Sequence, residues 1–486
     1  MLKENSVFRD SNTITAVLIM AFLLVLVSIT GTNAYSPDSW SYYELAKTFF
    51  NGNFYQFNTY RSYFSYETSA SFPFGYPALL AVINSIFIWN PVNAAYFNVL
   101  LASISVILIQ RISIHLKLSS IASLALIIGL TFFPAYMDEI VSGRSIPLAV
   151  VLTLTGILIL LKSDSSYKLI LAGTFFGISV LVRFDFLFHA WLGMTLTLFL
   201  FKRNLTGYIY SNIGFFIGIS PWIIFSYLYF DKIWISDNSW VTISAKSAYV
   251  LDYPAHASTT LFDDPITWLK KLSENGVRVV RQATHGLHDQ PLILLLVTYS
   301  AIYASRKRKT LYDYKLFIFV SLVALFASLL PYLLTGYVDK RYFAMPFFYT
   351  LILLVILSEK ILNIKGQRFL YIASIILILF KGTHYFTQSI ITVDNSRQKK
   401  ELIAIYNIKR CQDKEPEKVY IFTHEARSIA FKYGAITGHK TAVLPSNFIN
   451  LDETTVKDYY NHIKPYKTIA KIEFDSCGNI KEKKHQ

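Results

Sequence analysis

Apolar runs recur at residues 13–29, 93–112, 119–136, 145–161, 168–182, 185–201, 208–230, 291–304, 314–334, 342–357 and 369–386, separated by short polar segments. The runs are 14 to 23 residues long, around the roughly 20 that a helix needs to cross hydrocarbon. The pattern predicts an α-helical polytopic membrane protein with about eleven spans. One further stretch, 76–89, holds about fourteen apolar-rich residues and begins at Tyr76-Pro77. It is short enough to lie along the interface or re-enter, and is read as non-spanning.

Basic side chains set the orientation, because cytoplasmic loops carry an excess of Lys and Arg. With the N-terminus inside, Arg111, Lys117, Lys162, Lys202, Arg203, the run Arg306-Lys307-Arg308-Lys309, Lys360 and Arg368 all face the cytoplasm. The short outer loops hold only Arg144, Arg183, Lys340 and Arg341. Counting 76–89 as a span would invert every later loop and reverse the bias. The C-terminal tail is therefore expected outside.

Composition agrees: 53% of the 486 residues are hydrophobic and only 16% charged, against roughly 25% charged in soluble domains. A water-soluble enzyme is excluded. The net charge of +15 follows from dispersed loop residues, so no nucleic-acid partner is expected. Run 13–29 is longer than the apolar core of a secretory leader and is expected to be retained. The terminal Lys483-Lys484-His485-Gln486 matches a dilysine retrieval signal, but on the outer face it is read as coincidence.

Three hydrophilic regions are expected outside: 31–92, 231–290 and the tail. The first two belong to a transmembrane domain, 1–386, and the third is a small α/β domain, 387–486. Its predicted strands are 418–423, 440–444 and 467–474, with helices at 425–433 and 453–463. Cys411 and Cys477, the two cysteines, lie in it, paired or reduced according to the compartment. No Walker, G-x-G-x-x-G or G-x-S-x-G sequence occurs, against a nucleotide-driven pump or a serine hydrolase.

Candidate chemistry sits at the outer ends of the spans. Pro37 or Asp38 starts a helix that puts Asp38, Tyr42 and Leu45 on one face. Asp38 is either an acidic N-cap or a general base placed where a water-borne acceptor meets a lipid-borne donor; Glu44 points elsewhere and is read as solvated or structural. Asp138 and Glu139 precede Gly143-Arg144, either as interfacial charges balanced by Arg144 or as a second acidic site. Adjacent carboxylates diverge on a helix, and Glu139 is slightly favoured. Arg183 and Arg341 either snorkel to headgroups or grip a phosphate in a low-dielectric mouth; Arg183 has Asp185 as an alternative partner. His189, four residues after Asp185, is read as its structural partner. In the second long loop stand Asp252, His256, Asp263, Asp264, His285, His288 and Asp289. Asp263-Asp264-Pro265 reads as a helix start, with Pro265 at the first position before 266–273, and His285/His288 as a hydrogen-bonded feature rather than a zinc site. Tyr55, Tyr60, Tyr63 and Tyr66 are either sugar-stacking surfaces or interfacial aromatics.

An acid after the first span, Tyr42 and Ala46 at helical spacing, and then Pro73-Phe74-Gly75-Tyr76-Pro77-Ala78-Leu79-Leu80-Ala81 resemble the C-type integral-membrane glycosyltransferases. The nearest branch holds protein mannosyltransferases, aminoarabinose transferases and related lipopolysaccharide-modifying enzymes. The resemblance implies inverting transfer of a sugar from a polyprenyl-phosphate donor on the outer face, with Asp38 as base, Arg183 and Arg341 on the donor phosphate, and Asp138 or Glu139 at a second acidic or acceptor site. Tyr42, Tyr76 and Tyr342 are assigned to the substrate cavity. Where the family often shows Asp-Glu or Glu-Asp, this chain has Asp38-Ser39, which leaves a divalent metal ion an open question. The acceptor is a glycolipid, a polysaccharide or a protein, and the setting a bacterial inner membrane, since no outer N-x-[ST] sequon occurs. The competing classes are a transporter or flippase and an O-antigen ligase or polymerase. A transporter would place ionisable residues inside its spans, whereas here they cluster at span ends.

Overall fold

The computed structural model describes residues 2–52, 59–60, 72–162, 165–198, 205–230, 233, 260–288, 293, 329–335, 340–361, 364–394, 419–422, 440–443, 472–474 and 480–482. Helices dominate them. In chain order these are α1 (Leu2–Thr30), α2 (Pro37–Phe50), α3 (Gly75–Ile86), α4 (Asn93–His115), α5 (Ser120–Thr131), α6 (Pro134–Val141), α7 (Ile146–Lys162), α8 (Ser166–Val182), α9 (Phe186–Leu196), α10 (Leu205–Phe230), α11 (Pro265–His288), α12 (Ala344–Ile361) and α13 (Ile364–Asp394). Among the described residues, Asn93–His115, Leu205–Tyr229 and Arg341–Glu359 are long and apolar enough to cross a membrane. The pair α5 and α6 adds a fourth if taken as one span; it is bent by 56° where Pro134 opens the second helix and cannot donate to the preceding turn. Predicted spans 291–304, apart from residue 293, and 314–334, apart from 329–334, lie outside the described residues.

The helices behave as lipid-solvated elements. α1 buries Ala16, Ile19, Leu23, Leu26 and Val27 along one stripe while exposing Ile14, Val17, Leu18, Leu24, Val25 and Ile29. A helix apolar on the face that packs and on the face that does not is solvated by hydrocarbon rather than water. The short stretch predicted as non-spanning is α3, whose 12 residues rise about 18 Å, well short of the ~30 Å core.

Among the described residues the backbones of α8 and α10 approach most closely. A Cβ on Gly173 would stand 1.9 Å from the Ser211 carbonyl oxygen, and one on Gly214 would stand 1.9 Å from that of Ile170. Gly177 and Gly218 face each other one turn on. In hydrocarbon, where burial between helices gains little, such backbone approach supplies the van der Waals packing that holds them.

Strand β1 (Thr59–Tyr60) belongs to the first long loop, and β2 (Val419–Phe422) and β3 (Lys440–Val443) to the tail. They form one parallel sheet in the order β1-β3-β2, with Thr59 opposite Thr441 and Tyr420 also opposite Thr441. The first loop and the tail therefore lie on one side of the molecule. β4 (Ile472–Phe474) instead pairs antiparallel with β5 (Ile480–Glu482), so the third predicted strand makes a separate hairpin. The predicted tail helices, Cys411 and Cys477 lie outside the described residues.

Candidate active site

The site grows from the start of α2. Ser36 is the N-cap, its amide donating to Ser39 Oγ at 3.1 Å, and Pro37 occupies the first turn. Asp38 is therefore inside the first turn rather than the cap itself, where a carboxylate is favoured by the helix dipole. With Ser36 carrying the capping role, the Asp38 side chain is directed to a distant cation. Its Oδ2 lies 2.9 Å from a guanidinium nitrogen of Arg341 and its side chain is 27% exposed. Further along the same helix Tyr42 and Leu45 are buried. So is Glu44, which corrects its solvated reading and leaves the structural one.

The second wall is the end of α6. Gly143 has φ +65°, a conformation that glycine adopts without penalty. It lets the Gly143 amide donate to Ile140 O and the Arg144 amide to Glu139 O, the Schellman ending of a helix. Arg144 is thereby turned back over the helix. Its guanidinium pairs with Asp138, and its Nε stands 3.0 Å from Glu139 Oε1. Adjacent carboxylates diverge along the helix, as expected, yet both meet one arginine because that arginine follows the turn. Glu139 is fully buried, and its Oε1 is also 3.9 Å from Arg341. Arg341 thus sits between Asp38 and Glu139.

Arg341 and Tyr342 occupy the 3₁₀ turn Lys340–Phe343 ahead of α12. The Arg341 guanidinium centre lies 5.0 Å from the Tyr342 ring centroid and that of Arg183 lies 5.2 Å away, within cation–π range. Arg183, between α8 and α9, is held at 2.8 Å by Asp185, the alternative partner expected for it. Asp185 being so engaged, His189 pairs instead with the Tyr332 hydroxyl, 2.6 Å from its Nε2, which corrects the expected Asp–His pair.

Tyr42 and Tyr76 pack edge to face with centroids 5.1 Å apart. The Tyr42 hydroxyl is 2.9 Å from Ser145 Oγ, and the Tyr76 hydroxyl donates to the Gly143 carbonyl at 2.9 Å. Asn98 adds its amide to the carbonyls of Arg144 at 2.7 Å and Glu139 at 3.2 Å. Both tyrosines are buried and tie α2 and α3 to the turn that carries Arg144.

A divalent cation would need several oxygen donors converging on one point. Asp38 and Glu139 instead converge on the guanidinium of Arg341, while Asp138 and Glu139 meet that of Arg144. This arrangement does not fit a metal ion, and among the described residues no group of three or more His, Cys, Asp or Glu side chains does.

The long loop contributes α11, begun as expected at Pro265 but running on to His288. Asp264 caps it by accepting from the Thr267 amide at 3.0 Å, and Asp263 accepts from the Thr260 amide at 2.8 Å. These hydrogen bonds hold both carboxyls below the ordinary range. His285 is exposed. Asp252, His256, Asp289 and the side chain of His288, with Tyr55, Tyr63, Tyr66 and the side chain of Tyr60, lie outside the described residues. Sequence reasoning assigned no site role to Tyr332, Asn98 or Ser145. It cast Arg144 only as a counter-charge, although Gly143 just before it is the readable signature of a helix ending.

No family model and no curated protein matches this chain. Among solved structures, ArnT from Cupriavidus metallidurans, an aminoarabinose transferase, aligns in its form bound to undecaprenyl phosphate over 93% of this chain and 89% of its own, with TM-score 0.59 and 9% identity. Its apo form aligns over 88% and 85%, with TM-score 0.57 and 9% identity. An archaeal oligosaccharyltransferase, AglB from Archaeoglobus fulgidus, solved with an inhibitory peptide and a dolichol-phosphate, covers 93% and 69% at TM-score 0.47 and 11% identity, a likeness too distant to carry an argument. The apolar outer faces of the helices and the alignment over nearly the whole chain agree: this is a helical membrane protein whose fold is similar to that of the ArnT structures.

Proposed function

We propose that the chain is an inverting glycosyltransferase that moves a sugar from a polyprenyl-phosphate donor to a glycolipid, polysaccharide or protein hydroxyl on the extracytoplasmic face. The observation that carries this reading is the Asp38–Arg341 pair at 2.9 Å, a base and a phosphate-binding cation held together at the ends of helices in a glycosyltransferase fold. In the proposed topology about eleven spans place the N-terminus in the cytoplasm of a bacterial inner membrane. The tail, 387–486, is then an extracytoplasmic α/β domain.

The reaction follows from the charges. The acceptor hydroxyl gives its proton to Asp38 as its oxygen bonds to the anomeric carbon, while the bond from that carbon to the phosphate oxygen breaks. The departing phosphate takes the electron pair, and Arg341 and Arg183 meet the charge as it develops. An incoming donor phosphate competes with Asp38 for Arg341, so donor binding itself frees the carboxylate to act as base. Glu139, buried between Arg144 and Arg341, fixes where Arg341 stands. The two tyrosines Tyr42 and Tyr76 shape the wall beneath the sugar, and Tyr342 backs the two arginines.

The test uses the full chain in lipid nanodiscs with radiolabelled undecaprenyl-phosphate hexoses and pentoses, and total lipid and glycan extracts as acceptors. Label moving to an acceptor supports the reading. Donor carried across the bilayer of proteoliposomes, with none transferred, would instead identify a flippase.

A further inference from the structure

The turn bearing Arg341 and Tyr342 is anchored from inside the bundle. The Tyr332 ring, on the helical segment 329–335, stacks on that of Tyr342 at 5.4 Å and 11°. Its hydroxyl donates to the Tyr342 backbone carbonyl at 3.0 Å and lies 2.6 Å from His189 Nε2. A phenol has one proton. With that proton directed to the carbonyl, Nε2 must be the donor to the phenolic oxygen, which fixes the imidazole in its Nε2–H tautomer. Nδ1 then keeps a lone pair, and no hydrogen-bond partner meets it among the described residues. The imidazole is buried on α9 with Phe186 edge-on at 5.6 Å, and the His189 carbonyl accepts from Tyr349 at 2.9 Å.

We infer that His189 is a positioning residue for the transfer: through Tyr332 it fixes the backbone of Tyr342 and so the placement of the Arg341 guanidinium against Asp38. This rests on the proposed function for the meaning of that placement. The chain of contacts is specific in polarity, since the element must donate at Nε2 and need not carry charge. A side chain that keeps an N–H at that depth therefore supports the turn, and one of similar bulk without it does not.

The full chain in nanodiscs is assayed for kcat and KM, donor and acceptor varied separately, in wild type, His189→Leu, His189→Gln, Tyr332→Phe and the double variant His189→Leu/Tyr332→Phe. Tyr332→Phe keeps the ring stack and removes only the hydroxyl, so it separates positioning from loss of folding. His189→Leu and Tyr332→Phe each lower kcat/KM for the donor about tenfold, the scale of one lost hydrogen bond in a buried network. The KM for the acceptor stays unchanged, His189→Gln recovers most of the loss, and the double variant is no worse than either single one. Wild-type rates in His189→Leu, losses that multiply in the double variant, or a glutamine as impaired as the leucine would each overturn the inference alone. A wild type that transfers no label and binds no undecaprenyl phosphate fails the proposed function, and this inference falls with it.

Discussion

Asp38 and Arg341 meet at 2.9 Å although one stands in the first turn of the helix after the first apolar segment and the other, about 300 residues on, in the turn ahead of α12. Their contact is what makes one site of two distant parts of the chain. It is a partly exposed pair, the Asp38 side chain being 27% accessible and that of Arg341 14%, so a ligand can reach it without the bundle unfolding. A cation engaged with one anion at a mouth of this kind is ready to exchange it for another.

If Asp38 is the base, Asp38→Asn keeps its shape and removes the negative charge, and with it both the proton acceptor and the anion that competes with a phosphate for Arg341. Transfer should fall by about 10²–10⁴-fold while undecaprenyl phosphate, measured by quenching of intrinsic tryptophan fluorescence, still binds. A loss of binding equal to the loss of rate would make Asp38 a ligand-binding group instead.

Arg341→Lys keeps the charge and removes the fork that serves two oxygens at once. A lysine ammonium cannot span Asp38 and Glu139 as the guanidinium does. Donor KM should rise in both Arg341→Lys and Arg341→Ala, and a lysine variant indistinguishable from wild type would show that the guanidinium geometry is irrelevant.

Arg144 is the close partner of the fully buried Glu139. Removing it in Arg144→Met strands a buried carboxylate, a change that costs roughly 3–5 kcal/mol. Thermal unfolding in detergent should shift down sharply, and adding Glu139→Gln should restore part of the loss by removing the stranded charge. An unshifted midpoint in Arg144→Met would mean that water already reaches Glu139.

A methyl group on Gly214 would meet the Ile170 carbonyl oxygen at 1.9 Å. Gly214→Ala should therefore push α8 from α10 and cost about 1–3 kcal/mol, the scale of overpacking, again read from the unfolding midpoint. Alanine at Gly276, where the nearest atom would be a Leu333 side-chain carbon at 3.7 Å, is the control that should be tolerated.

Strand β3 is central in its sheet, flanked by β1 and β2. Thr441→Pro removes a ladder donor in a central strand, so limited proteolysis should become faster in both the tail and the first long loop. Faster cleavage of the tail alone would show that β1 holds its place without β3.

The sequence made the parts of this site readable wherever local rules act. Pro37 and an acid at the start of a helix, Pro77 early in a stretch too short to span, and arginines stranded at the ends of apolar runs are all visible without coordinates, and the structure brings Asp38, Glu139, Arg183 and Arg341 to one region. What was not readable depends on distance. Asp38 reads equally as a cap or as a base until Ser36 is seen to fill the capping place. His189 reads as the partner of Asp185, at helical spacing, until Arg183 takes that carboxylate and Tyr332, far along the chain, takes the imidazole. Glu44 reads as solvated or structural because nothing local shows that its face of α2 is buried. The pairing of β1 with β3 joins segments that no periodicity relates.

In the proposed reaction Asp38 serves a sugar transfer on the outer face. The most direct measurement is lipid and glycan mass spectrometry of a host expressing the wild type beside Asp38→Ala, with protein amounts matched by immunoblot. A sugar-mass increment present with the wild type and absent with Asp38→Ala is the predicted result, and it would also name the acceptor pool. The same increment with both proteins would contradict the role of Asp38, and its absence from both would contradict transfer itself.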